Sequence, residues 1–353
     1  MRELRRAAAL ALLLATAPIA VAEPAREEPY DAGWAFYIDN DMLSPSQSDR
    51  DYTGGFSLTL AGRRAADAWW SIDPLRDGID RLLGLNNLYA DRTLSRHNAE
   101  FGVTVFTPGS LSDPAKQAGD RPYASLVYAA STAVQVEPDR DLACLSTFTL
   151  GALGLPIVGD GQKAIHSVTG SAQPVGWENQ ISNGGEPTAR YAFARVKRSW
   201  AGRVAGTRGE MTTTWFGSAG YLTEASYGVA ARAGEFHTPW WSYNPQIAEY
   251  AEKSVPVVAS EGGGAEHYFW GGFNVKARAY NAFLQGQFRD SAVTFNSSEV
   301  NHLLVEGWVG YTQALENGWR FSYVLRAQSS EVRTGPANRT ETWGGLIISY
   351  AVQ

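Results

Sequence analysis

The chain has 353 residues, with 30 lysines and arginines against 36 aspartates and glutamates, and a formal charge of −6. An acidic chain without a basic tail argues against nucleic acid as a partner, and Cys144, the single cysteine, excludes an intramolecular disulfide and a thiolate metal cluster. Thirty-six glycines, sixteen tyrosines, fourteen phenylalanines and twelve tryptophans go with a mean hydropathy of −0.25. That is too polar for a bundle of membrane-spanning helices and near the average of a barrel whose strands alternate lipid-facing and lumen-facing residues, although a soluble β-sandwich shares the composition.

The first 22 residues read as an export signal. Arg2, Arg5 and Arg6 precede an apolar run from Ala7 to Ala17, and Ala20-Val21-Ala22 supplies a small-x-small cleavage site. Cleavage after Ala22 leaves residues 23–353 as the mature chain and takes the formal charge from −6 to −8, because three arginines and one glutamate are lost.

Period-two alternation then recurs along the chain. Phe56, Leu58 and Leu60 interleave with Ser57 and Thr59, and Trp319, Phe321, Tyr323, Leu325 and Ala327 form one face against Arg320, Ser322, Arg326 and Gln328. Strands are expected near 32–41, 53–62, 97–107, 121–136, 143–153, 188–200, 210–220, 224–234, 265–284, 299–312, 319–331 and 340–352. In lipid every backbone group has to be paired, so about twelve such strands must close on themselves. The expected fold is all-β: a transmembrane antiparallel barrel in the bacterial outer membrane.

Two connections at one end are long. From Ala68 to Arg92, Ile72, Leu75, Ile79, Leu82 and Leu83 recur at helical spacing among aspartates and arginines, which predicts an amphipathic helical insertion near 69–90. It is read either as lying at the membrane surface or as propping the barrel end. From Glu235 to Gly264, Trp240, Trp241 and Tyr243 are expected to anchor at the membrane interface.

The opposite end holds the candidate chemistry. Asp39-Asn40-Asp41 and Asp49-Arg50-Asp51-Tyr52-Thr53-Gly54-Gly55 flank one hairpin connection, and gathered oxygens of this kind suit a hard cation such as calcium. A solvated turn made by Asp, Asn and Gly is the alternative. Strict alternation puts Asn40 on the face of Trp34, Phe36 and Ile38, and Asp39 and Asp41 on the lumen side. His166, alone among five histidines in lying on the third connection at this end, suits a general base; a histidine merely hydrogen-bonded in a loop is the competing reading. Arg121 suits either an anionic headgroup or a salt bridge in the lumen.

These segments, with Asp120-Arg121-Pro122-Tyr123-Ala124 and His166 through Gly176-Trp177-Glu178-Asn179-Gln180, resemble the lipid A deacylase LpxR family over essentially the mature chain. The resemblance implies a twelve-stranded outer-membrane barrel and calcium-dependent removal of the 3′-linked acyloxyacyl group from lipid A. It implies that His166 activates water, that Asn40 and Asp41 position or bind calcium, and that Thr53 lines the site. Glu178 is matched as a further calcium ligand, and Arg121 and Asn179 as substrate-binding residues. Two positions depart from the family pattern: Ala172 stands where a glutamate is expected, and Asp113 where a lysine is expected. The alternatives are a non-catalytic barrel, whether pore or lipid-binding, and an outer-membrane phospholipase.

Overall fold

A computed structural model describes residues 27–45, 50–85, 94–253, 257–260 and 264–352. The export signal, Asp49 and the last residues of the predicted helical insertion lie outside the described residues. Twelve strands form: β1 Gly33–Asn40, β2 Asp51–Ala61, β3 Leu94–Thr107, β4 Ala124–Glu137, β5 Leu142–Leu153 and β6 Glu186–Val204. They continue as β7 Thr207–Gly220, β8 Leu222–Glu235, β9 Glu266–Asn281, β10 Leu303–Ala314, β11 Trp319–Gln328 and β12 Glu341–Ala351. Each pairs antiparallel with its sequence neighbours, and β1 closes the barrel on β12 from Gly33↔Ala351 to Asn40↔Gly344. Among the described residues four α-helical segments sit in the connections: α1 Arg64–Asp67, α2 Asp73–Leu82, α3 Pro156–Thr169 and α4 Ala282–Gln285.

Alternation explains most of the wall. Thr104, Phe106, Arg190, Lys276, Arg278 and Arg326 point inward and are buried, while Phe56, Phe101, Trp215, Phe269 and Phe273 on the other parity are exposed to the surrounding lipid.

The lumen is filled rather than open. The connection after β8 turns inward, and Tyr250 packs against Tyr52, Phe106 and Trp343 with ring centroids 4.9, 5.0 and 5.8 Å away. Its neighbours Glu249 and Glu252 pair with Lys276 and Arg190 of the wall. The expectation for Trp240, Trp241 and Tyr243 is therefore corrected. All three are buried, and the two tryptophans pack on the lumen-facing Val134, Val136, Ala143 and Leu145. An aromatic cluster at a barrel end satisfies the same apolar demand inside as at the interface, and the inward turn of this connection chooses the inside.

The predicted helix near 69–90 forms as α2, and it does not prop the lumen. Its charged residues Asp73, Arg76 and Asp80 are buried against Ser131, Ser146 and Tyr191. These three have the parity opposite to the lumen-facing Thr132, Thr147 and Ala192, so α2 lies on the outside of the barrel wall.

Candidate active site

The first strand delivers Asn40 to the lipid-side face of the rim, as alternation requires. Its Oδ1 accepts the Met42 amide at 2.8 Å and caps a single helical turn over Asp41–Leu43. That turn folds onto the outside of β12. A Cβ at Gly344 would stand 2.5 Å from the Leu43 carbonyl oxygen, and the hydroxyl of Tyr323, a lipid-side residue of β11, donates to the same carbonyl at 2.6 Å. The strand ends before Asp41, so alternation does not carry Asp41 into the lumen as expected. Its buried carboxylate instead accepts the Arg50 amide at 2.6 Å and ties together the two ends of the connection.

Thr53 reaches the same outer face through a bulge. Tyr52 pairs with Phe106 and Gly54 with Val105, leaving Thr53 as the extra residue. Tyr52 thereby points into the lumen, where its hydroxyl donates to Asp39 at 3.1 Å, while Thr53 Oγ1 lies 2.5 Å from Thr107 Oγ1 on the outside. Gly54 is required at the bulge: its φ is +147°, and a Cβ would approach the Asp39 carbonyl oxygen to 2.3 Å.

His166 comes to the outer wall on α3. Pro156 opens this helix and Gly170, at φ +74°, ends it. Val158, Gly159, Gln162 and His166 form its buried face. Gly159 sits under the Trp177 ring, and Trp177 Nε1 donates to Gln162 Oε1 at 2.8 Å. Val158, Trp177, Tyr123 and Leu111 then pack on Val103, Val105 and Val127, lipid-side residues of β3 and β4. Thr107 continues that row of β3, so α3 and Thr53 share one stretch of outer wall. The opposite face of α3 shows Ile157, Ile165 and Val168 to the surroundings.

The His166 ring is oriented. Its Nδ1 lies 2.6 Å from the carbonyl oxygen of Ala172, which can only accept. The ring proton therefore sits on Nδ1, and Nε2 is the proton-accepting nitrogen. Ala172, a departure from the family pattern in its side chain, contributes here through its backbone.

The remaining predicted residues are placed elsewhere. Arg121 is buried in the lumen between Glu331 and Glu341, with its guanidinium 4.5 Å over the Phe106 ring. This corrects its reading as a headgroup ligand in favour of the salt bridge, because a guanidinium held by two carboxylates inside the wall does not face lipid. Asn179 Nδ2 donates to the Pro114 carbonyl at 3.1 Å and joins two outer connections. Glu178 is exposed, and its backbone carbonyl accepts from Asn183. Asp113 accepts the Ala115 amide at 2.9 Å within its own turn.

Sequence reasoning missed Arg339, which donates to Asp51 at 2.7 Å and pairs with Asp120 at 2.8 Å, locking three outer connections together. Burial opposes its charge, but the two carboxylates outweigh that and hold its pKa above the ordinary arginine value. No spacing in the sequence marks this residue, since its partners lie far away along the chain.

The family described as outer membrane protein LpxR matches residues 8–352. The chain belongs to the LpxR family. Its fold is similar to that of LpxR from Salmonella typhimurium, at 16% identity and a TM-score of 0.70, over 90% of this chain and 99% of that one. The β domain of the Bordetella autotransporter BrkA (10% identity, TM-score 0.40, 91% and 99% covered) and the COG4313 outer membrane channel from Pseudomonas putida F1 (9%, 0.41, 95% and 100%) stand further off. No curated relative matches the chain. Membership of the LpxR family and the closed barrel make this an outer-membrane protein.

For an LpxR-family site the donor chemistry can be compared with a hard cation. Asn40 and Asp41 are consecutive and offer an amide and a carboxylate, the oxygen donors calcium prefers. Among the described residues no three His, Cys, Asp or Glu side chains gather as a metal-holding group. The described site thus fits calcium in donor type through Asn40 and Asp41.

Proposed function

We propose that this LpxR-family protein is a calcium-dependent ester hydrolase that removes the 3′-linked acyloxyacyl group from lipid A in the outer membrane. The observation that carries the reading is His166, oriented by the Ala172 carbonyl on a helix laid against the lipid-side wall that also carries Asn40 and Thr53. A lipid ester can reach that wall while its acyl chains stay in the bilayer.

In the proposed reaction His166 Nε2 takes a proton from water as the water oxygen bonds to the ester carbonyl carbon. When the tetrahedral species collapses, the bond to the sugar oxygen breaks and the proton on His166 passes to that oxygen. The products are a free acyloxyacyl acid and a sugar hydroxyl. Calcium, when bound through Asn40 and Asp41, would supply positive charge to the developing oxyanion. Thr53 is held at the same wall by Thr107 and lines the approach.

The test is mass spectrometry of lipid A and phospholipid from outer membranes carrying the protein, with calcium and with chelator, alongside Asp41→Ala. Calcium-dependent loss of the two linked acyl chains from lipid A, abolished in the variant, is the expected result. Cleaved glycerophospholipid with intact lipid A would make it a phospholipase. Unchanged lipids would leave a non-catalytic barrel.

A further inference from the structure

The burial of α2 is inverted for a helix in water. Asp73, Arg76 and Asp80 are buried, while Leu75, Leu82 and Leu83 are 52, 85 and 57% exposed, and the preceding Trp69 is 96% exposed. The buried face is an ionic clamp. Arg76 pairs with Asp73 and Asp80 and donates to Ser146 at 2.9 Å; Ser131 donates to Asp73 at 2.8 Å, and Tyr191 donates to Asp80 at 2.5 Å.

All three wall partners stand on the lipid side of their strands. This explains a break in the alternation of β4 and β5: Ser131, Ala133, Cys144 and Ser146 face outward yet are buried. Ser131 is the eighth of the fourteen residues of β4, and Tyr191 and Ser131 both pair with Phe148 of β5. The clamp therefore sits near mid-strand on β4 and not at the end of the barrel. The apolar face is also continuous with the lipid-facing wall, since Trp70 meets Phe101 edge-on at 5.6 Å and Phe101 is itself exposed on the lipid side of β3.

We propose that α2 is embedded in the periplasmic-leaflet half of the outer membrane, clamped to the lipid-facing wall of β4, β5 and β6 by its charged face. Its occupant on the free face is phospholipid: Leu75 and Leu82 meet acyl chains. Paired charges and satisfied hydrogen bonds make the polar face tolerable at that depth. Apolar surface facing chains rather than water stabilises the arrangement. Around the helix, Ile79 and Leu83 share one flank and the Asp77–Arg81 pair the other. A helix laid across the strands thus has one flank suited to hydrocarbon and one to headgroups.

The experiment places a bimane label on Leu82→Cys or Leu75→Cys in a Cys144→Ser background, with the full chain folded into phosphatidylcholine vesicles. Phe273→Cys serves as the lipid-facing reference, and heat-modifiable mobility on gels confirms the barrel in each variant. Trp69→Cys, preceding the helix, gives a further position if a helix variant fails to fold. Brominated acyl chains are expected to quench the helix labels by as large a fraction as the Phe273 reference, with aqueous iodide ineffective. Quenching by iodide and not by brominated lipid would put the helix in water and overturn the proposal. Quenching by neither would mean that protein, such as a second copy of this chain, covers the face, and would overturn it equally.

Discussion

Inside the barrel, Arg121, Arg190, Arg278 and Arg326 are each held by carboxylates of the wall, the inward connection or the outer loops. On the lipid side of β2 to β5, the polar residues Thr53, Thr107, Ser131 and Ser146 are all buried, and the hydroxyls of each are engaged by a neighbouring strand or by α2. Charge in the lumen compensates charge and fixes the plug; these outer-wall hydroxyls are each covered and hydrogen-bonded. Cover on the outer wall thus marks places where the wall does more than face lipid. There are three among the described residues: the rim under α3, the mid-wall patch under α2 and the outside of β12 under the Asp41–Leu43 turn.

The sharpest way to break this contrast is His166→Ala. If the chemistry belongs to the outer wall, the variant keeps the heat-modifiable barrel and loses deacylation on the order of 10²–10⁴-fold, as loss of a general base should. Lipid A mass spectra of membranes with matched protein levels measure it, and full activity would remove His166 from the mechanism.

Arg121→Ala should do the reverse. It leaves Glu341 buried without its guanidinium, and urea unfolding in detergent should show a loss of about 3–5 kcal/mol. Activity per folded molecule should hold. A variant that unfolds like the parent but binds lipid A more weakly would return Arg121 to the site.

Thr53→Val is the smallest change. It keeps the shape of the bulge and removes one hydroxyl from the Thr107 contact, a net loss of about 1 kcal/mol. Activity changing by no more than stability would make Thr53 a wall residue only, and a larger fall in kcat at unchanged stability would place its hydroxyl against the substrate.

Much of the barrel was legible because period two is a local property. Phe321, Tyr323 and Leu325 declare a strand wherever it ends up, and the twelve expected segments all became strands with ends shifted by a few residues. Asn40 on the lipid-side face was legible for the same reason, as was the helical spacing of Leu75, Ile79 and Leu82. The bulge was not. Tyr52 and Thr53 carry no mark saying which one leaves the ladder, and that choice sends Tyr52 to Tyr250 in the lumen and Thr53 to Thr107 outside. The side taken by Arg121 was equally hidden, because Glu331 and Glu341 lie more than 200 residues away along the chain.

The sequence by itself determined an alternating outer-membrane barrel, the order of its long connections and the residue types gathered at the candidate site, because backbone pairing in lipid and side-chain chemistry act over a few neighbouring residues. The tertiary structure alone decided which face of the wall each connection occupies: inward for Trp240, Trp241 and Tyr250, outward for α2, α3 and the Asp41–Leu43 turn. The physical reason is that an amphipathic segment satisfies its apolar and polar faces on either side of a barrel wall, and only partners brought from distant strands break that symmetry.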